Sequence, residues 1–294
     1  MAEITVELIK TLREKTNAGM MDCKAALTEA KGDLAEAEVI LRKKGITGAE
    51  KKAGRATSEG VIAARIDADA KTGVLVAVSC ETDFVAKNEN FQSFVDGLVN
   101  HVATAEPVAD LDALLAQTYV GDPSLTVTEV VKAKIGQLGE NMALSRFARY
   151  TVDGEGVIAS YIHPPGKVGV LLEAGCTKAA TADAAAFREV VKDIALHIAA
   201  AQPLCVTRDE VPAAKVEQEK EIYREKAKGK PENIVEKIVA GQIDKFFASM
   251  ALLEQGFIKD PDKTIKDLLA AKGKEVGDEL TIRRFARFAV GEEG

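Results

Sequence analysis

Residues 59–66 read Glu-Gly-Val-Ile-Ala-Ala-Arg-Ile, and residues 155–162 read Glu-Gly-Val-Ile-Ala-Ser-Tyr-Ile. The likeness continues at a constant offset of 96 in residue number as far as Pro107 and Pro203. A second match pairs residues 139–152 with residues 277–290, at an offset of 138 in residue number. We therefore predict an internal duplication whose second copy contains 42 additional residues, the difference between the two offsets.

Each copy predicts the same small α+β subdomain. In the first copy, β-rich runs at about 60–67 and 73–80 are separated by a short turn, which is typical of a β-hairpin. An apolar helical pattern from Phe91 to Val102 follows, then a helix at about 126–136 and a final strand at about 142–152. We expect a small antiparallel sheet packed with helices in each copy.

The additional residues of the second copy predict a helical hairpin. A charged arm runs from about Pro212 to Lys228, and Gly229-Lys230-Pro231 separates it from a second arm at residues 232–255. The second arm is richer in apolar side chains, among them Ile243, Phe246, Phe247, Met250 and Leu253. We expect an antiparallel hairpin that associates with another chain, and packing onto its own subdomain is the alternative.

The first 45 residues predict three short helices, with a break at Thr16-Asn17-Ala18-Gly19 between the first two. The third helix should begin after Asp33 and end at Lys43-Lys44-Gly45, where cations and a glycine are typical of a helix C-terminus. Met20 and Met21 are adjacent in the second helix. Either one is core and the other partly exposed, or both belong to an adaptable apolar contact surface.

Composition limits the function classes. Lys and Arg number 39 and Asp and Glu 46, a net charge of −7 that argues against nucleic acid as the main partner. No apolar run approaches the roughly 20 residues of a membrane span. The start, Met-Ala-Glu-Ile-Thr, lacks the features of a signal peptide, so we expect a cytoplasmic protein with no membrane partner.

The motifs of common enzymes and metal sites are missing from the sequence. Four cysteines stand far apart without a Cys-x-x-Cys pair, so we expect reduced, mostly buried thiols and no zinc site. We find neither a P-loop nor the fingerprints of dinucleotide-binding proteins, metalloproteases or serine hydrolases. This pattern favours a binding protein over an enzyme.

The two copies differ at the junction between hairpin and helix. The first reads Cys80-Glu-Thr-Asp-Phe-Val-Ala86 where the second reads Cys176-Thr-Lys-Ala-Ala-Thr-Ala182. Because alanines stand opposite Asp83 and Phe84, we interpret these two residues as a protruding apolar anchor beside a carboxylate. Two other interpretations stay open: Asp83 caps the next helix, and Phe84 packs beneath it.

The three histidines divide into two kinds. His101 and His197 occupy equivalent places on apolar helices, which favours a structural role. His163 lies in the predicted hairpin turn His163-Pro-Pro-Gly166 of the second copy. It is either an exposed turn residue or a polar contact at an interface.

Three segments carry a resemblance to a known family: Asn17-Ala-Gly-Met-Met-Asp-Cys-Lys-Ala-Ala-Leu27, Cys80-Glu-Thr-Asp-Phe-Val-Ala-Lys-Asn88 and Ala195-Leu-His-Ile-Ala-Ala-Ala-Gln-Pro203. They closely resemble bacterial translation elongation factor Ts (EF-Ts), and the resemblance covers nearly the whole chain. It implies an N-terminal UBA-like (ubiquitin-associated-like) three-helix domain, two related core subdomains and an inserted coiled-coil hairpin. The expected domains are residues 1–55, 56–152, 153–207 with 255–294, and the hairpin 208–254. Many members carry a further short helical module at the C-terminus, which we do not expect here.

The function that this resemblance implies is guanine-nucleotide exchange on elongation factor Tu (EF-Tu), with no cofactor and no covalent chemistry. The family binds EF-Tu·GDP, promotes release of Mg²⁺ and GDP, and stabilises the nucleotide-free complex until GTP binds. Thr82, Asp83, Phe84 and Val85 match the segment that acts on the GTPase domain near Mg²⁺. The N-terminal contact with that domain is matched by Arg13, Met20 and Met21, and a contact of the second subdomain by His163.

Two rival classes remain. An adaptor that uses only the helical N-terminus leaves the duplicated core unexplained. An unrecognised enzyme with a site between the subdomains needs convergent polar groups, and the duplicated segments offer mainly His101 and His197 on apolar faces.

Overall fold

The structure, a computed structural model, describes residues 4–16 and 18–292. Asn17, part of the predicted break between the first two helices, lies outside the described residues. In chain order the elements are α1 (Val6–Thr16), α2 (Met20–Glu29), α3 (Leu34–Glu50), β1 (Glu59–Ile66), β2 (Thr72–Cys80), α4 (Asp83–Ala86), α5 (Glu89–Thr104), α6 (Leu111–Ala116), α7 (Val127–Leu138), β3 (Met142–Thr151), β4 (Gly156–His163), β5 (Val168–Gly175), α8 (Ala179–Asp183), α9 (Ala185–Ala201), α10 (Ala213–Lys226), α11 (Glu232–Met250), β6 (Gly256–Phe257), β7 (Asp260–Thr264), α12 (Ile265–Val276) and β8 (Thr281–Ala289).

The strands form small sheets, which confirms the α+β class. Two sheets have three strands each, in the orders β1-β2-β3 and β4-β5-β8, and β6 pairs with β7 in a third. Strands β4 and β5 are antiparallel, with Gly156 opposite Gly175 and His163 opposite Val168. In the second sheet, inward side chains of β5 such as Val170 and Leu172 pack on α9, because alternate strand residues point to the same face.

The chain divides into two compact units. The first lies within Met1–Ala63, Val76–Phe147 and Ala289–Gly294, and the second within Ala64–Leu75 and Ala148–Phe288. In the first unit, α1, α2 and α3 pack around a small core that includes Leu12 and Leu27. This observed bundle agrees with the three helices expected from the apolar spacing.

The duplication extends to the ends of helices. Both α7 and α12 begin at a threonine capping box, Thr126 and Thr264, which satisfies amide groups that the first turn leaves unpaired. Both end at a glycine with positive φ, 82° at Gly139 and 67° at Gly277. Each of these pairs shows the larger of the two offsets, so the insertion lies before α12.

Two buried histidines narrow the place of the insertion. The Nδ1 atom of His101 accepts the Val120 amide hydrogen at 3.2 Å, and Nδ1 of His197 accepts that of Ile258 at 3.2 Å. The donors Val120 and Ile258 differ by 138 in residue number, whereas Pro107 and Pro203 differ by 96. The additional residues therefore lie between Pro203 and Ile258. Burial lowers the pKa of both imidazoles. These contacts agree with the structural role that the sequence favoured.

Helix α3 is longer than expected, because Gly45 does not end it. The helix continues to Glu50, and Asp33 caps its start by accepting the Glu36 amide hydrogen at 2.9 Å. A Cβ atom placed on Gly136 of α7 would lie 2.4 Å from the Cα of Gly45. Gly45 therefore lies inside α3 where this helix packs on α7, and the glycine that permits the close approach is Gly136 of α7.

The helical hairpin is present, but apolar side chains at its base, near the end of α11, are covered by neighbouring residues. Helices α10 and α11 pack on one another, and Phe246 and Phe247 are half-buried against a cluster that contains Cys205, Val211 and Ala251. Ile243 is buried. The expectation that this part of the second arm lacks cover within its own subdomain was wrong. The chain segment on either side of the hairpin supplies the missing apolar surface.

Candidate functional site

The segment that distinguishes the first copy forms a single helical turn, α4. Thr82 is its N-cap, and its Oγ1 accepts the Val85 amide hydrogen at 3.3 Å. Asp83 is the first helical residue, so it does not cap the helix in the way that one interpretation proposed. We refer to residues 82–85 as the 82–85 turn.

Phe84 projects from this turn into solvent, with 82% of its surface exposed. A phenylalanine that stabilised its own fold would be buried, so the alternative in which Phe84 packs beneath the helix is wrong. The equivalent turn of the second copy, α8, forms with Ala179 and Ala180 at the same places, and both are exposed. The fold therefore does not require the aromatic ring.

Asp83 has a partner on its own helix. Its carboxylate lies 2.7 Å from Lys87 Nζ, four residues on, and this contact raises the pKa of the lysine. Both groups are at the surface, so the ion pair contributes little stability. The carboxylate remains accessible beside the exposed ring.

Two acidic residues that were not identified from the sequence fix the position of this turn through hydrogen bonds. Glu140 accepts hydrogen bonds from the Thr82 hydroxyl at 2.6 Å and from the Thr82 amide at 3.0 Å. Glu81 accepts the Asn141 amide hydrogen at 2.5 Å. A signal was present, because Asp278 occupies the position of the second copy that is equivalent to Glu140 and is also acidic.

The N-terminal candidates are exposed. Met20 is 55% and Met21 77% exposed on α2, and Arg13 is exposed on α1. The interpretation in which one methionine is core is therefore wrong. Two adjacent exposed methionines form a flexible, polarizable apolar surface. They lie on a different element from the 82–85 turn, although both elements belong to the first unit.

His163 lies at the end of β4, in the second unit. Its Nδ1 is 3.0 Å from the Tyr161 hydroxyl, and the ring is exposed. Tyr161 is half-buried and packs against the core of this unit. The tyrosine therefore restricts the orientation of this exposed imidazole.

Comparison with known proteins identifies the family. A family model described as elongation factor TS matches residues 81–292. The elongation factor Ts of Trichlorobacter lovleyi is 48% identical over 291 residues, which cover 98% of this chain and 93% of the relative. The chain belongs to the elongation factor Ts family. The EF-Ts of Nitratidesulfovibrio vulgaris is 47% identical over 292 residues, covering 99% and 96%, and that of Clostridium novyi is 44% identical over 291 residues, covering 98% and 93%.

The similarity to EF-Ts proteins extends over both the duplicated core and the N-terminal helices. The family model begins at Glu81, so it includes the 82–85 turn and His163. Arg13, Met20 and Met21 lie outside that match, and the whole-chain alignments are what extend the likeness over the N-terminal helices.

Metal clusters, membrane-spanning helices and cysteine chemistry are considered for the described part of this EF-Ts chain. Within residues 4–16 and 18–292, no cluster of three or more His, Cys, Asp or Glu side chains is arranged to bind a metal. None of the helices described there is both long and apolar enough to cross a membrane. The four cysteines are buried thiols, and burial raises the pKa of Cys80 to about 11, so its reactive thiolate form is suppressed.

Proposed function

We propose that this chain is a guanine-nucleotide exchange factor for EF-Tu, working in the cytoplasm during translation elongation. It binds EF-Tu·GDP, promotes release of Mg²⁺ and GDP, and stabilises the nucleotide-free form until GTP binds. The observation that carries this proposal is the exposed Phe84 on a fixed turn, at a place where the duplicated fold accepts alanine. Membership of the EF-Ts family implies that the partner is EF-Tu.

The 82–85 turn supplies the binding energy that drives exchange. Burying the exposed Phe84 ring in a partner contributes about 1.5–3 kcal/mol from apolar area alone. The factor binds the nucleotide-free shape more tightly than the GDP-bound shape, so by reciprocity it weakens GDP binding by the same ratio. Asp83 and Val85 contact the GTPase domain beside the ring. No covalent step is needed.

Secondary contacts hold the complex in one orientation. Arg13, Met20 and Met21 on the N-terminal helices contact the same GTPase domain, and His163 contacts the partner from the second unit. Adaptable methionine surfaces suit a partner that changes shape during the exchange cycle. A pull-down from bacterial lysate separates this proposal from an adaptor role, because it demands one dominant GTPase that GDP with Mg²⁺ releases.

The deciding experiment is the double substitution Asp83→Ala with Phe84→Ala. It copies Ala179 and Ala180 of the second unit, so we expect the thermal midpoint to stay within about 2 °C of the unmodified protein. Release of fluorescent GDP from EF-Tu should slow by about tenfold or more, which corresponds to about 1.4 kcal/mol of lost partner binding.

The matched control for this experiment is Ile258→Ala, which removes another exposed apolar side chain from the second unit. It should leave GDP release unchanged. Unchanged release in the double variant would contradict the proposed function, and an unfolded product would contradict the surface role of Phe84.

We propose that the tip of the helical hairpin, residues 220–240, is a surface for self-association and does not take part in exchange. Ile222 on α10 and Ile234 on α11 are the exposed large apolar residues there, while Val239 is buried. Replacing residues 220–240 with a short Gly-Ser linker retains the covered base and changes loop-closure entropy only slightly. Sedimentation should show loss of self-association with GDP release intact. An exchange defect as deep as that of the double variant would contradict this assignment.

A further inference from the structure

The short connection between α7 and β3 lies against the 82–85 turn. Glu140 of this connection accepts from Thr82 Oγ1 at 2.6 Å and from Thr82 N at 3.0 Å. We propose that Glu140 is a positioning residue for exchange: its carboxylate orients the Thr82 hydroxyl and so holds Phe84 in the geometry that the partner binds. This inference rests on the proposed exchange function.

The Thr82 hydroxyl has a single hydrogen to donate. Because that hydrogen is donated to Glu140, a lone pair of Oγ1 is left to face the Val85 amide, which donates to it at 3.3 Å. Without the carboxylate the hydroxyl can rotate, and the cap on α4 weakens. Helix α4 has only four residues, so it cannot hold its shape through internal hydrogen bonds alone.

A second hydrogen bond joins the same two segments, with the donor and the acceptor exchanged between them. Glu81, next to Thr82, accepts the amide hydrogen of Asn141, next to Glu140. The Asn141 side chain is buried and donates to the Arg55 carbonyl at 2.8 Å. The connection is therefore itself anchored, and a carboxylate on an anchored segment can transmit a fixed position to the turn.

The second copy supplies an internal comparison. Asp278, the counterpart of Glu140, accepts the Lys178 amide hydrogen at 3.0 Å, the equivalent of the Thr82 amide. Its hydrogen bonds, above all that from the Thr177 hydroxyl, hold the pKa of Asp278 well below its usual range. Yet α8 has no side-chain cap and carries alanines in place of Asp83 and Phe84. Both acids hold a turn, but only Glu140 does so through the cap of a helix that carries an exposed aromatic ring.

The test uses the full chain and three single substitutions. Glu140→Ala should lower the rate of GDP release from EF-Tu, at factor concentrations below saturation, by about tenfold, because a charge-assisted hydrogen bond is lost from the cap. Glu140→Asp should retain activity to within about threefold, since Asp278 shows that the shorter acid reaches the equivalent amide. The matched control Asp278→Ala should leave release within about twofold despite a similar loss of thermal stability.

Two further readouts separate positioning from general stability. In the Phe84→Ala background, Glu140→Ala should change GDP release by less than about twofold, because no ring is left to position. In the isolated protein, NMR should show faster hydrogen exchange at the Thr82 and Val85 amides for Glu140→Ala and not for Asp278→Ala.

The outcomes distinguish this inference from the function on which it rests. If the unmodified protein fails to accelerate GDP release, the proposed function fails, whatever the amides show. If the unmodified protein works and Glu140→Ala works equally well, or Asp278→Ala is equally defective, the positioning role is overturned. Unchanged protection of the Val85 amide in Glu140→Ala would also overturn it.

Discussion

A charge buried in one copy and missing from the other shows how single residues adapt a duplicated fold. Glu173 on β5 is buried and lies 3.1 Å from Arg283 Nη1 and 2.7 Å from Arg284 Nε. The Arg284 guanidinium also lies 4.2 Å from the centre of the Tyr150 ring. Ala77 and Ser145 stand at the first-copy positions of Glu173 and Arg283. The same sheet is thus built with and without the buried glutamate.

Glu173→Ala should lower the free energy of unfolding by about 2 kcal/mol, measured by urea denaturation, because the arginines lose a buried partner but can still reach water. Adding Arg283→Ser to this variant recreates the Ala and Ser pair of the first copy. The combination should recover part of the loss. A double variant less stable than Glu173→Ala alone would show that Arg283 stabilises mainly through its bonds to backbone carbonyls.

At the scale of the element, glycines inside helices differ in their packing environment. Gly136 of α7 lets the α3 backbone at Gly45 approach closely, and a Cβ atom on Gly45 itself would make only ordinary contacts at 3.8 Å. A Cβ atom on Gly48, one turn further along α3, would meet nothing within 4 Å. Both α3 glycines carry the same conformational cost in a helix. Only packing against a second element distinguishes them, and it is this packing that attaches the N-terminal helices to the rest of the first unit.

Gly136→Ala should destabilise the first unit by about 1–3 kcal/mol, because the new methyl group would overlap the Gly45 backbone. Gly48→Ala is the control, and it should stabilise by about 0.5–1 kcal/mol, since a helical glycine is replaced where space is open. Thermal denaturation of both variants checks the pair. Equal effects of the two substitutions would contradict the close contact of α3 with α7.

At the scale of the whole molecule, the duplication places one buried histidine in each unit. His101 and His197 are both neutral in the fold, because each Nδ1 accepts a backbone amide hydrogen. In the second unit, Nε2 of His197 lies 2.9 Å from Gln255 Oε1 and donates its hydrogen there. Desolvation lowers the pKa of both imidazoles below the ordinary value of 6.5, so protonation opposes folding.

Stability should therefore fall as the pH drops below 6.5, where the unfolded chain binds protons that the folded histidines do not. The limiting slope is about 1.4 kcal/mol per pH unit for each histidine, down to its folded pKa. Above the ordinary pKa both states are neutral and the full stability is present. Urea denaturation at pH 7.5 and 5.5 measures the difference.

His101→Asn is the control for this pH dependence. The asparagine Oδ1 can take the place of Nδ1 and accept the Val120 amide hydrogen without a titratable group. The variant should lose about half of the pH dependence between these two pH values, provided that each histidine contributes similarly. An unchanged pH dependence would show that the acid sensitivity comes from groups other than His101.

Signals contained within a few residues or repeated at a fixed offset were enough to predict much of the protein. The two offsets in residue number located two copies and a helical insertion, and the segment around Thr82–Val85 carried the family resemblance. Strand and helix bounds followed within a few residues, because periodicity and capping chemistry are local properties. The exposed anchor was inferred only because the second copy offered alanine at the same place.

Contacts between distant segments were decided by the tertiary structure alone. Gly45 has the local appearance of a helix terminus, and only α7, which is far away in sequence, reveals it as a packing position. Phe246 and Phe247 were expected to lack cover, but the segment around Cys205 and Val211 covers them. Glu140 is 58 residues from Thr82, and no local pattern predicts that their side chains meet. Propensity and periodicity act over one or two turns of chain, whereas burial and hydrogen-bond partners depend on which surfaces the completed fold brings together.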